Sequence, residues 1–202
     1  MERKSLAETQ QYLKKVIEGV GDIRSELPGN NSFIWNKVNK FAAKDFNLEH
    51  SFRVSHGGES MVYMTNDDPH FVYKLKKTDD CLLFTNLLKV YAHNQLFDDC
   101  YYEFLGFIYT DKVRTVLRQP LICGKELDNR LQLFLTLRKK GFEYIGNECF
   151  RKNKYILKDL YSLGGVGNVL HNEKGIYFID PKICFDGSER EWRDYILNDT
   201  YL

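Results

Sequence analysis

An α+β fold with an antiparallel sheet and a helical N-terminal extension is predicted by three observations. Residues 1–50 repeat apolar side chains at helical spacing, and from residue 51 the chain changes to short β-rich runs around one uninterrupted helical segment. Beyond Pro120, helices and short strands alternate to the end.

The first helix lies in SLAETQQYLKKVIEGVG, where Ser5 and Glu8 have capping-box spacing and Leu6, Leu13, Val16, Ile17 and Val20 recur until Gly19 and Gly21 end the pattern. LPGNNS breaks the chain, and Ile34, Val38, Phe41 and Ala42 mark a second, short helix whose apolar stripe docks on the main body. FRVS, SMVYMT and HFVYKL read as three antiparallel strands, the last two joined by the turn NDDP. DDCLLFTNLLKVYAHNQLF, free of Gly and Pro, predicts a helix opened by Asp79 or Asp80, with Leu83, Leu87, Val90 and Leu96 near one face. YEFLGFIYT and VRTVLRQPLI restore strand character across a DK turn, giving five strands with one helix between the third and fourth.

After Pro120, ELDNRLQLFLTLRKKGF predicts a helix ending at Gly141, with Leu127, Leu131, Phe134, Leu135 and Leu137 on its buried side. YILKDL, NVLHN and GIYFIDPKI follow as short strands and loops, NEKG turns between the last two, and SEREWRDYILNDTYL closes as a helix. The expected division is a helical extension over 1–50, a first subdomain over 51–123 and a second over 124–202.

Of the 202 residues, 43% are hydrophobic, 28% charged and four are proline, the profile of a globular chain with a real core. The formal net charge of +1 gives no bulk argument for a nucleic-acid or anionic-membrane partner, so any anion site is local. The five cysteines (81, 100, 123, 149 and 184) are scattered and never spaced as CxxC, and are expected to be reduced, mostly buried thiols. No signal-like apolar segment opens the chain and no run approaches membrane-spanning length, which makes the cytoplasm the expected compartment.

The stretch SHGGESMVYMTNDDPHFVYKLKK carries the first chemical signal. Without Cβ atoms, Gly57 and Gly58 allow backbone amides to approach phosphate oxygens, and the Ser60 hydroxyl adds a donor. Lys74, returning on the next strand, can neutralise the same charge. Asp159 in YILKDL, Asn168 and Asp180 stand where strands give way to loops, and their hard oxygens suit magnesium bound with phosphates. His56 is a further phosphate candidate, whereas His93, with no second ligand at helical spacing, reads as a hydrogen-bonded structural histidine. Each residue alone also fits a plain turn, cap or hairpin role; the order of all of them is what points to a site.

Gly57 and Gly58 with Val62 resemble a shortened glycine-rich loop, and FVYK, ending in Lys74, resembles a lysine-bearing third strand. LKDL resembles the catalytic-loop motif, NVL its downstream asparagine segment and FIDP the metal-binding Asp-Phe-Gly position. In this order the chain resembles the protein-kinase-like superfamily. More narrowly, GGESMVY, AHNQLF, YEFLGF, VLRQPLI and YFIDP resemble the polyvalent protein kinase domain of Bacteroidetes genomes and their mobile elements, over roughly residues 50 to 185.

The resemblance implies a reduced two-lobed kinase-like fold that binds ATP and Mg2+ between an antiparallel N-lobe and a small C-lobe. Gly57, Gly58 and Ser60 would cover the ATP phosphates, Val62 would touch adenine, Lys74 would hold the α and β phosphates, and Gln119 to Cys123, Leu121 among them, would form the hinge. Asp159 would be the catalytic base or orienter of an acceptor hydroxyl, and Asn168 and Asp180 the metal ligands.

Three departures from the pattern bear on activity. The third loop glycine is absent, with Glu59 and Ser60 following the pair; the helix over 81–97 contains no Glu to pair with Lys74, leaving Asp79, Asp80 or Glu103; and Asp159 and Asn168 stand nine residues apart, wider than the family's spacing. Only about twenty residues follow FIDPKI, too few for a large peptide-presenting subdomain, so the acceptor is either a protein or a small molecule. Two other classes stay open: a pseudokinase-like module that binds nucleotide or a partner without catalysis, and an interaction protein without a ligand cleft.

Overall fold

Helix α1 (Leu6–Val20) opens with the capping box read from the sequence: the Ser5 amide donates to Glu8 Oε2 at 2.8 Å and the Glu8 amide donates to Ser5 Oγ at 3.2 Å. The computed structural model describes residues 4–20, 31–44, 46–56, 60–77, 83–160 and 168–198. Helix α2 (Asn31–Val38) runs into a single 3-10 turn, Asn39–Phe41. Leu13, Val16, Ile17, Ile34 and Val38 are buried in the same core as the helix and strands that follow, so the N-terminal helices pack into the domain.

Strands β1 (Ser51–His56), β2 (Ser60–Thr65) and β3 (Phe71–Lys77) form an antiparallel meander. Helix α3 (Leu83–Leu96) intervenes before β4 (Glu103–Tyr109) and β5 (Val113–Pro120), and β5 inserts between β3 and β4 to give the order β1-β2-β3-β5-β4. The period of two divides the side chains of β3. Tyr73 and Leu75 face a small cluster with Phe46 and Val116, Phe46 stacking on Tyr73 at 5.1 Å, while Lys74 and Lys76 point to the other side.

The segment after α2 is fastened to β4 at one glycine. Ala42 bridges Phe107 and the Ala43 amide donates to the Phe107 carbonyl at 2.9 Å. Gly106 beside them has φ +136°, and a Cβ there would lie 2.3 Å from the Phe41 carbonyl oxygen, so only glycine permits this approach. The opposite end of the sheet is pinned by Arg118, which donates to Glu103 Oε2 at 2.6 and 2.9 Å and to Asp68 Oδ2 at 3.1 Å. Tyr73 donates to that same Asp68 oxygen at 2.7 Å, which ties the NDDP turn to β3 and β5.

The C-terminal part contains β6 (Lys125–Glu126), α4 (Arg130–Lys139), β7 (Glu143–Gly146), β8 (Cys149–Lys152), β9 (Tyr155–Lys158), β10 (Val169–Asn172), β11 (Gly175–Phe178), β12 (Lys182–Phe185) and α5 (Glu189–Leu197). They make a three-stranded sheet, β11-β10-β6, and a four-stranded one, β12-β9-β8-β7. The β7–β8 hairpin was not legible: all of β7 except Gly146 is exposed, so it shows no buried alternation, and its turn residues Asn147 and Glu148 take φ of 49° and 56°. Ser188 and Glu191 form a second capping box that opens α5.

Two sequence expectations need correction. In α4, Leu133 and Leu137 are buried whereas Leu131 and Leu135 are 66% and 50% exposed. Asn129 caps the helix through the Gln132 amide and fixes its phase; positions two residues from the buried pair then lie about 200° around the axis, on the solvent side. Of the four cysteines described, Cys100 is buried, Cys149 and Cys184 are half-buried and Cys123 is exposed, so the thiols are not mostly core residues. Cys81 lies outside the described residues.

Candidate functional site

The two lysines of β3 converge on one carboxylate. Because they alternate across the strand, Lys74 and Lys76 leave the same face of the sheet, and Asp180, between β11 and β12, meets both. Lys76 Nζ donates to Asp180 Oδ1 at 3.1 Å, and Lys74 Nζ stands 4.0 Å from Oδ2. Lys74 lies deeper, its side chain 7% exposed, and donates to the Tyr102 hydroxyl at 3.0 Å and the Ile179 carbonyl at 3.1 Å.

Burial pulls the Lys74 ammonium down to about 8; Asp180 opposes the fall and Lys76 adds to it. Burial alone would raise the Asp180 carboxyl, but Lys76 and Lys74 hold it well below the usual carboxylate range. Burial, and then the charge of Asp180, push the Tyr102 phenol well above its ordinary value, so it remains a donor and bonds the Ile179 carbonyl at 2.5 Å. His93 is drawn down to about 4 by burial, against the hydrogen bond to the Phe178 carbonyl. At neutral pH it is therefore uncharged, and its Nε2–H donates to that carbonyl at 2.7 Å.

A cavity of about 380 Å³ opens in front of Asp180, within the ordinary range for a small-molecule site. Its walls include Ser60, Lys76, Asp159, Asn168, Asp180 and Lys182, and α3 contributes Lys89, Val90 and His93. Ser60 arrives by pairing with Lys76 across β2 and β3. Asn168 arrives through the β10–β11 hairpin, where Val169 pairs with Phe178 and the Ile179 amide donates to the Asn168 carbonyl at 3.0 Å. Asp159 follows β9 with φ +50°, and its Oδ2 accepts from Lys182 Nζ at 2.6 Å.

Other sequence candidates sit apart from the cavity wall. Val62 is the cross-strand partner of Lys74 and is half-buried. Gln119 is buried, its side-chain amide donating to the carbonyls of Cys100 at 2.8 Å and Ile179 at 3.2 Å. Leu121 is exposed and its amide donates to the His70 carbonyl at 2.8 Å. Glu103 serves Arg118, not Lys74, and α3 carries no carboxylate, so the anion nearest to Lys74 among the described residues is Asp180. Gly57 and Gly58, like Asp79 and Asp80, lie outside the described residues, as does the side chain of His56.

Sequence reasoning missed Lys76, Lys89, Lys182 and Tyr102. Lys76 had a signal, since a strand that points Lys74 into a cleft points the residue two along the same way. Lys182 and Tyr102 reach the site only through tertiary packing, which no local spacing announces.

The described residues contain no cluster of three or more His, Cys, Asp or Glu side chains able to hold a metal, and no helix long and apolar enough to cross a membrane. Asp180 and Asn168 bring a carboxylate and a side-chain amide to the same cavity wall, the oxygen chemistry that a magnesium ion sharing its shell with phosphate oxygens and water would need. No curated protein and no solved structure matches the chain significantly. The family model for the serine/threonine/tyrosine kinase found in polyvalent proteins, Kinase-PolyVal, matches residues 32–186. The match starts within α2, ahead of the first strand, and takes in every residue of the cavity wall. Spanning well over half of the sequence, it shows that the chain belongs to the Kinase-PolyVal family of kinases.

Proposed function

We propose that the protein is an ATP- and magnesium-dependent phosphotransferase, with the sheet of residues 51–123 as its N-lobe and residues 124–202 as a reduced C-lobe. Membership of a kinase family supports phosphoryl transfer in general. The single observation that carries the finer reading is the meeting of Lys74, Lys76 and Asp180, with Asn168 and Asp159 in the same cavity.

In this reading Asp180 and Asn168 hold magnesium, which supplies charge neutralisation at the phosphates. Lys76, with Lys74 behind it, attracts the phosphate oxygens, and the Ser60 hydroxyl donates from the end of β2. The loop with Gly57 and Gly58 covers the phosphates, and Val62, Gln119 and Leu121 border the adenine. Asp159 orients or deprotonates the acceptor hydroxyl, which belongs to a protein or a small molecule. Catalysis is then mostly positioning and electrostatics, as loose phosphoryl-transfer transition states require.

A pseudokinase-like reading is favoured by one observation: both acids of the site are held by lysines, Asp180 by Lys76 and Asp159 by Lys182, and α3 offers no carboxylate to release Lys74 or Lys76. Transfer of the γ-phosphate from radiolabelled ATP, followed as autophosphorylation and as ATP turnover with magnesium, separates the two. The enzyme reading expects activity that disappears in Asp180→Ala and falls by at least about a hundredfold in Asp159→Asn. Nucleotide binding without any turnover would leave the module reading standing instead.

A further inference from the structure

Among the described residues, the cavity wall carries more positive than negative charge. It carries Lys76, Lys89 and Lys182 against Asp159 and Asp180, with Lys74 buried behind Asp180 as a further cation and His93 neutral. Two of these lysines are matched, Lys76 to Asp180 and Lys182 to Asp159. Lys89 is not: it is half-buried on α3, one turn before His93, and among the described residues no hydrogen bond or ion pair engages it. A lysine on the wall of a cavity, with no acid on its own helix to meet it, raises the affinity of that cavity for anions.

We propose that Lys89 is a phosphate-contacting residue, placed on α3 to bind polyphosphate oxygens directly, so that part of the affinity for ATP is independent of magnesium. This rests on the reading of the cavity as a nucleotide site and adds a residue and a metal-independent component to it. The chemistry requires nothing beyond the ammonium: its three N–H groups donate to phosphate oxygens in charge-assisted hydrogen bonds, and it makes no bond to carbon or phosphorus. Half-buried, and without an ion-pair partner among the described residues, Lys89 contributes little to folding, so its removal reports on ligand rather than on structure.

The test is calorimetric titration of wild type, Lys89→Ala and Lys89→Arg with ATP in EDTA, with ATP and magnesium, with inorganic tripolyphosphate and with adenosine, beside melting curves. The expected result is a loss of about tenfold in affinity for metal-free ATP and for tripolyphosphate in Lys89→Ala, recovery in Lys89→Arg, and unchanged affinity for adenosine. A wild type that binds ATP with magnesium while Lys89→Ala binds metal-free ATP equally well overturns the role of Lys89 and leaves the nucleotide site intact. Absence of ATP binding to the wild type with and without magnesium overturns both.

Discussion

Replacing Lys74 by Met removes a buried ammonium while keeping most of its volume, and the structure gives the size of the effect. In the folded protein Lys74 loses its proton at about 8 instead of the ordinary 10.5, chiefly because of burial. Between those two values the unfolded chain binds more protons than the native one, so stability rises with pH across this window. The penalty of keeping Lys74 charged is fully present below pH 8 and is relieved as pH climbs toward 10.5, a change of roughly 3 kcal/mol. Lys74→Met lacks this dependence. Its Ile179 carbonyl partner is not orphaned, since Tyr102 and Gln119 still donate to it. Urea unfolding of both proteins from pH 7 to pH 10.5 therefore should show wild type gaining roughly 3 kcal/mol relative to the variant, whatever their offset at pH 7. Parallel curves across the whole range would refute the description of Lys74 as a desolvated ammonium behind Asp180.

Three other experiments test the surroundings. Arg118→Leu strands the buried Glu103 carboxylate and should cost about 3–5 kcal/mol in chemical unfolding, with partial recovery in the Arg118→Leu, Glu103→Leu double variant. Leu137→Ala should cost about 2–5 kcal/mol by cavity formation, whereas Leu135→Ala should stay within about 0.5 kcal/mol; equal losses would contradict the helix phase that Asn129 sets. Asp180→Asn should differ from wild type on the acid limb of the stability curve, below the range in which Lys74 titrates. The gap should close only as pH falls below 3.8, because the two lysines hold the folded carboxyl under that value; closure already at pH 5 would deny the pairing.

The parts legible in the sequence are those written in local chemistry. The first capping box, the β2–β3 turn and the five strands around α3 depend on residues a few positions apart, and the spacing of Ser5 to Glu8 or the run NDDP announces them directly. The order Lys74, Asp159, Asn168, Asp180 also points to one site from the sequence alone. What stayed hidden depends on which groups meet. Glu103 was a candidate partner for Lys74 until β4 and β5 placed it opposite Arg118, and Lys182 reached Asp159 only because β12 pairs with β9. Apolar content placed α4 correctly but not its inward face, since Leu131, Leu133, Leu135 and Leu137 offer two stripes and the cap selects one.

The central claim is that Lys76, Lys74, Asn168 and Asp180 bind a nucleotide together with magnesium. Isothermal titration with ATP, run with magnesium and with EDTA on wild type and Asp180→Ala, tests it most directly. The account predicts that magnesium tightens binding to wild type by at least about tenfold and that Asp180→Ala loses this enhancement while still binding metal-free ATP. A wild type that binds ATP no better with magnesium, or an Asp180→Ala protein that keeps the full enhancement, would contradict it.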